Sequence, residues 1–212
     1  MNADAIYQSL RDDIAGGLLH PNERLVEADL TETFHATRAA VRAALLRLEQ
    51  ERLIQHERNR GARVRLVPPE EAVEIYEIRS VLEGFAASRA ADVASADDVT
   101  RLRSLLARIR EQLDVEDLRG ASGTNMDLHA AIVALAGHGT VERLIGTLNP
   151  HLVRHHYRTI LQPERPEKSF AEHSAIVEAI ARRDADGAER AMRDHLRSVT
   201  ATLRKPLPER AL

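Results

Sequence analysis

The chain has 212 residues, 43% of them hydrophobic and 30% charged, with a net charge of −3, ten histidines, no cysteine and no tryptophan. That is an ordinary globular balance with room for one or two cored domains. It excludes disulfide scaffolds, thiolate metal sites and cysteine nucleophiles, and a core that must be built from Leu, Ile, Val and Ala argues for helices and against an all-β fold. No run of about 18 apolar residues and no signal-peptide pattern opens or interrupts the chain, so the expected location is the cytoplasm, with no membrane partner.

Ile6, Leu10 and Ile14 recur at four-residue spacing over Ala5 to Ile14 and predict a short helix, which Gly16-Gly17 ends. After a turn at Pro21-Asn22, Leu25, Leu30 and Phe34 predict a second helix over Val26 to Phe34. His35-Ala36-Thr37 interrupts it, and Thr37 is a good N-cap for a third helix carrying Val41, Leu45 and Leu48 to about Glu51. Leu53 to Arg58 and Ala62 to Val67 read as two short strands around Asn59-Arg60-Gly61, because Val64 and Leu66 alternate with Arg63 and Arg65. Three short helices followed by a hairpin is the element order of a winged helix-turn-helix, whose third helix is the candidate for a DNA major groove.

Pro68-Pro69-Glu70-Glu71 breaks the chain and then suits a helix start, so a linker is placed at residues 68–71. Residues 72–205 have helical period throughout. Breaks at Ser95 to Asp98, Arg119-Gly120 through Gly123, Gly137 to Gly139, Gln162 through Pro166 and Asp184 to Gly187 cut this part into about six helices. Ser169-Phe170-Ala171-Glu172 has the form of a capping box that would start one of them at Phe170. The expected fold is therefore mainly α: a winged helix-turn-helix with a small β-hairpin wing at residues 1–67, an all-α bundle at 72–205 and a tail at 206–212.

Charge is divided unevenly. Met1 to Phe34 holds two arginines against seven acids, whereas His35 to Val67 holds eight arginines against three glutamates, a local balance of +5. A basic stripe inside a balanced protein is the electrostatic footprint of a surface that meets phosphates. Arg38 and Arg42 stand four apart, opposite Val41, Leu45 and Leu48, so both can face a groove while the apolar side packs. The bidentate arginine fork suits guanine O6 and N7.

Glu23-Arg24-Leu25, Leu30, Thr37-Arg38-Ala39-Ala40-Val41-Arg42-Ala43-Ala44-Leu45, Leu48-Glu49 and Gly61 resemble the GntR family of bacterial transcription regulators. The resemblance implies that Arg24, Arg38, Arg42 and Gly61 match positions that contact DNA, and Thr37 and Arg60 are candidates beside them. Ala39 and Ala40 stand where relatives often carry Thr or Pro.

In the second part, Asn125 and His129 share a helix face at four-residue spacing. His173 and His195 lie about ten residues before and after a turn near Asp184 to Gly187, so at ~1.5 Å rise per residue they stand at one height on an antiparallel helix pair. Two imidazoles can converge there. Arg79 lies at the edge of an apolar stripe, where it can either line a pocket or pair with Glu83 on the surface.

Arg79 to Glu83, Asn125 to His129, Glu172 to Ile176 and Met192 to Leu196 resemble the FCD effector domain of the FadR branch of that family, in its compact six-helix form. The resemblance implies that Asn125, His129, His173 and His195 bind a divalent metal, with Asn125 in place of the commoner Asp. Three imidazoles make Zn2+ the first choice, ahead of Ni2+, Mn2+ or Fe2+. It also implies an Arg79 that reaches a ligand carboxylate.

The resulting expectation is a homodimeric, ligand-responsive regulator, a repressor first, that binds a palindromic double-stranded operator and senses a small organic acid. Two other readings stand beside it: a metal-dependent enzyme on a helical bundle, and a regulator whose metal is purely structural. The enzyme reading is disfavoured because no His-Glu-x-x-His occurs and no free general base stands beside the three histidines.

Overall fold

The computed structural model describes residues 1–57 and 61–205, and the chain separates into two compact bodies. Met1–Pro68 forms the first together with Thr147–Arg154, a stretch that the sequence reading assigns to the second domain. Pro69–Gly146 and the described residues from His155 on form the second.

In the first body, α1 (Ala3–Ala15), α2 (Glu27–Thr33) and α3 (Arg38–Gln50) precede β2 (Ile54–Glu57) and β3 (Gly61–Val64). A third strand escapes the sequence reading: β1 (Arg24–Leu25) pairs antiparallel with β3, giving the sheet order β1-β3-β2. Its two residues are too few to show an alternation, and it is held by reciprocal bonds just outside it, from Asn22 N–H to the Val64 carbonyl and from Val64 N–H to the Glu23 carbonyl, both 2.9 Å. Ile6, Leu10, Ile14, Val41, Leu45 and Leu48 from the helices meet Leu25, Ile54 and Val64 from the sheet in one apolar core. The turn between α2 and α3 places His35 at φ 45°, the left-handed region that a helix cannot continue through. Thr37 Oγ1 then accepts from Ala40 N–H at 3.2 Å and starts α3.

The second body is helical: α4 (Pro69–Val93), α5 (Ala96–Asp114), α6 (Leu118–Leu135), most of α7 (Gly139–Leu148) and of α8 (Val153–Ile160), α9 (Arg165–Ala181) and α10 (Ala185–Leu203). These are seven helices among the described residues, one more than the breaks predict, because the 3-10 turn Asn149–His151, with its Pro150, divides α7 from α8. Helix α4 packs on α10, α6 and α9, and α5 packs on α6 and α9.

Two helix starts differ from expectation. Residues Gly120 to Gly123 are no break: α6 runs through them, capped by Asp117, whose carboxylate accepts from Gly120 N–H at 2.9 Å. A Cβ on Gly120 would collide with that carboxylate, so the glycine is the seat of a cap. Likewise α9 begins at Arg165, with Pro166 in its first turn, and Ser169 is interior. The capping-box pattern at Ser169 fails because the Glu172 carboxylate turns to Arg165 and His195 instead.

Candidate metal centre and nucleic-acid interface

In the first body, α3 buries Val41, Ala44, Leu45 and Leu48 and leaves Arg38 and Arg42 exposed on its other side. Thr37, at the N-terminus of the same helix, is exposed as well. The Arg42 Nε donates to Glu27 Oε2 of α2 at 2.8 Å, a surface pair in which the arginine side chain remains 67% exposed. Spacing on a single helix does not reveal Glu27, since it comes from α2. Arg24 is exposed on β1 and stands opposite Arg63 of β3 in the ladder. Gly61 opens β3 at φ +83°, and a Cβ there would lie 3.2 Å from the Leu25 carbonyl, so only glycine fits without strain. Arg60 lies outside the described residues.

In the second body, three helices bring His129 (α6), His173 (α9) and His195 (α10) together, all buried. The His173 Nε2 lies 3.1 Å from the Nε2 of His129 and 3.1 Å from that of His195, and one ligand nitrogen from each ring falls within 4.8 Å of the other two. The rings turn their opposite nitrogens outward. His129 Nδ1 bonds to Glu83 Oε2, and His195 Nδ1 bonds to Glu172 Oε2 at 2.8 Å. A carboxylate accepts only, so Nδ1 carries a proton in both rings and the Nε2 atoms face the common centre.

Each of these carboxylates is held in turn by a buried arginine. Arg79 Nε donates to Glu83 Oε1 at 2.6 Å, and Arg165 Nη1 donates to Glu172 Oε2 at 2.7 Å and to Ser198 Oγ at 3.3 Å. Arg79 and Glu83 thus pair at i and i+4, as one of the two sequence readings allows, but inside the body, at 3% and 0% exposure, and not on its surface. Arg79 Nη1 also meets His156 Nε2 at 3.1 Å, and the His156 ring stands edge-on to Tyr76.

The electrostatics follow from burial. Burial alone would raise the Glu83 carboxyl, but Arg79 and then His129 override it and hold it well below the usual carboxylate range. Burial and the neighbouring imidazoles push His173 and His195 well below the ordinary histidine value, so both are neutral at pH 7. Burial followed by the Arg79 charge does the same to His156. Neutral imidazoles with inward lone pairs are the form that ligates a metal.

Asn125 stands one turn before His129 on α6, and its Oδ1 is buried without a protein hydrogen-bond partner. An orphaned amide oxygen one helical turn from His129, with three converging imidazoles, is a donor set that fits a divalent cation, and Asp127 is exposed.

Residues 2–64 match the family described as bacterial regulatory proteins, gntR family, and residues 74–198 match the FCD domain. The HTH-type transcriptional repressor RspR of Escherichia coli is 28% identical over 94% of this chain and 88% of its own length. A Streptomyces ambofaciens HTH-type transcriptional regulator in an unstable DNA locus is 30% identical over 93% of this chain and 83% of its own length. Among solved structures, E. coli McbR/YncC aligns at TM-score 0.80 with 20% identity over 95% of this chain and 96% of its own. A putative GntR transcriptional regulator from Rhodococcus sp. RHA1 aligns at 0.77 with 25% identity over the same shares. The exposed arginines of α3 and the helical body around the three histidines are thus parts of one design, and the chain belongs to the GntR family of bacterial transcriptional regulators, with a C-terminal FCD domain and no enzymatic relatives among these matches.

Proposed function

We propose that this regulator is a cytoplasmic repressor that binds a palindromic operator as a homodimer and changes its operator affinity when a small organic acid enters a metal-containing FCD domain. The observation that carries this reading is the convergence of three buried imidazoles on one point, each from a different helix. Zinc is the favoured ion, with nickel, manganese or iron as the other occupants that His129, His173, His195 and Asn125 suit. A neutral amide in place of a carboxylate leaves the site one charge more positive, which favours an anionic effector.

The effector would meet the metal and Arg79. Tyr76 Oη and His156 Nδ1, both buried without protein partners, supply further polar atoms beside that guanidinium. Repression is favoured because RspR and GlaR of E. coli, both relatives of this chain, are named repressors. On the DNA side, Arg24, Thr37, Arg38, Arg42 and Gly61 form the reading head. A dimer follows from half-site logic, because one recognition helix reads too few base pairs for useful specificity.

The test is elemental analysis of protein purified without chelator or nickel resin, beside a His173→Ala/His195→Ala variant. About one equivalent of metal per chain, lost in the variant, is the expected result; none in the natural protein removes the metal from the reading. Operator shifts with and without the ion then separate a sensory from a structural role, since a structural ion leaves a folded, metal-loaded protein indifferent to every organic acid.

A further inference from the structure

Helix α4 is packed on nearly every side. Tyr76, Arg79, Glu83, Ala86, Ala87 and Ala90 are buried, and Leu82 joins Ala86 against Val141 and Ile145 of α7. One stripe is left over. Ile78, Val81 and Phe85 lie at i, i+3 and i+7 on one face of the helix and are 57%, 49% and 40% exposed. Large apolar side chains scattered singly on a surface are ordinary, but three aligned on one rigid helix form a patch that is unfavourable to leave in water.

The two ends of the stripe carry opposite charge. Glu74 and Glu77 are exposed toward the N-terminus of α4, and Arg89 is exposed one turn beyond Phe85. Among the described residues Glu74 has no ion-pair partner, and Arg89 donates Nε–H to the Ala136 carbonyl at 3.4 Å. This order is self-complementary. In an antiparallel two-fold pair of α4 helices centred between Val81 and Leu82, Ile78 of one copy comes opposite Phe85 of the other, Val81 lies at the axis, and Glu74 comes opposite Arg89. Farther out Asp92 comes opposite Glu71, and Arg183, which donates to the Asp92 carbonyl at 2.9 Å, brings a cation there. A parallel pair would set Glu74 against Glu74 and Arg89 against Arg89, so charge selects the antiparallel one. A second copy of this chain therefore already presents the apolar centre and the charged rim that this face asks of a partner.

We propose that the outer face of α4, centred on Ile78, Val81 and Phe85, joins two copies of this chain, with Glu74 of each paired to Arg89 of the other. This rests on the homodimer reading above and names its face. A standard interface takes ~800 Å² from each partner, more than three side chains supply. Helix α7, which packs on Leu82 and Ala86 and leaves Leu144 48% exposed, flanks the stripe and widens it. Arg79 and Glu83 stand on the buried side of α4, so a wall of the imidazole site and the face between copies are two sides of one rigid element.

The absence of cysteine from the chain makes the test direct. Val81→Cys puts one thiol per chain close to the two-fold axis, and mild oxidation or a short bis-maleimide is expected to link the full-length protein into a covalent dimer. Val115→Cys, at a site 74% exposed just past α5, is expected to stay unlinked under the same treatment. Sedimentation velocity follows the assembly itself. The natural protein is expected to be a dimer, and Ile78→Glu/Phe85→Glu, shown to be folded by circular dichroism, to raise the dimer dissociation constant by about 100-fold or more. Glu74→Arg and Arg89→Glu are each expected to weaken the dimer and, combined in one chain, to restore it.

A monomeric natural protein overturns the homodimer reading and this face with it. A dimer that Val81→Cys does not link, or that Ile78→Glu/Phe85→Glu does not divide, overturns the face and leaves the homodimer standing. A combined charge exchange that fails to restore what each single exchange weakened overturns the antiparallel pairing.

Discussion

The two bodies of this regulator treat polar side chains in opposite ways. The first has an apolar core and keeps Arg24, Arg38 and Arg42 at its surface. The second buries Arg79, Glu83, His129, Arg165, His173 and His195. A surface that meets a polyanion only has to display cations, because the partner brings its own charge and water can remain. A site that grips a small ion must dehydrate its donors, and each dehydrated group then needs a partner of its own. In the helical body the Arg79–Glu83 pair is fully buried and the Arg165–Glu172 pair largely so.

The comparison breaks or sharpens most strongly at Glu83. Glu83→Leu strands the Arg79 charge in the interior, and urea unfolding is expected to show a loss of about 3–5 kcal/mol. A loss below about 1 kcal/mol would mean that the interior is wetter than the fold implies.

Acid provides the next test. His173 and His195 have their proton affinity depressed below the ordinary value of 6.5, so between that pH and their folded values the unfolded chain takes up protons that the folded one refuses. Glu83, held below its ordinary 4.5, acts in the same direction at lower pH. The stability of chelator-treated protein is therefore full above pH 6.5 and falls as the pH drops below it, and a flat profile between pH 7 and 5 would contradict buried neutral imidazoles.

On the first body, Arg42→Ala is expected to weaken the shift of the protein's own promoter DNA by about tenfold or more, from a contact worth about 1–3 kcal/mol. Its stability should stay within about 0.5 kcal/mol, because the pair with Glu27 is exposed. An unaltered shift would remove α3 as the reading helix. Thr37→Ala, which deletes the cap of that helix, should cost about 1 kcal/mol in thermal or urea unfolding. Smallest of all, Glu178→Ala, which breaks the exposed pair with Arg103, should cost less than about 1 kcal/mol, the same operation as at Glu83 with water present.

Most of the helical framework was legible in the sequence, because helices announce themselves through local apolar spacing. Ile6, Leu10 and Ile14, or Val41, Leu45 and Leu48, needed no distant partner to be read. The meeting of His173 and His195 was legible for a related reason: two helices joined by a short turn fix which heights coincide. Strand β1 was not legible, since two residues of ladder have no period and depend on β3 some forty positions away. Nor was the start of α9, where Ser169 and Glu172 carry a capping pattern but Glu172 has stronger claims on it from Arg165 and His195. Arg165 stayed hidden for a related cause, because its partner Glu172 stands seven residues on along α9, outside the i+4 spacing that marks Arg79 with Glu83, and the third member, His195, comes from α10.

The meeting of α6, α9 and α10 at three imidazoles has a further consequence for a chain with no cysteine. The contacts of His173 with His129 and His195 span 44 and 22 residues. An ion held by all three rings is a cross-link, closing both of those loops at once without an oxidising compartment. By loop-closure arithmetic a link over a few tens of residues removes about 3–4 kcal/mol of freedom from the unfolded chain. Proteolysis of a metal-loaded and a metal-stripped sample would then cut at different rates in the stretches between the rings, with the protection ending where the stitched segment ends.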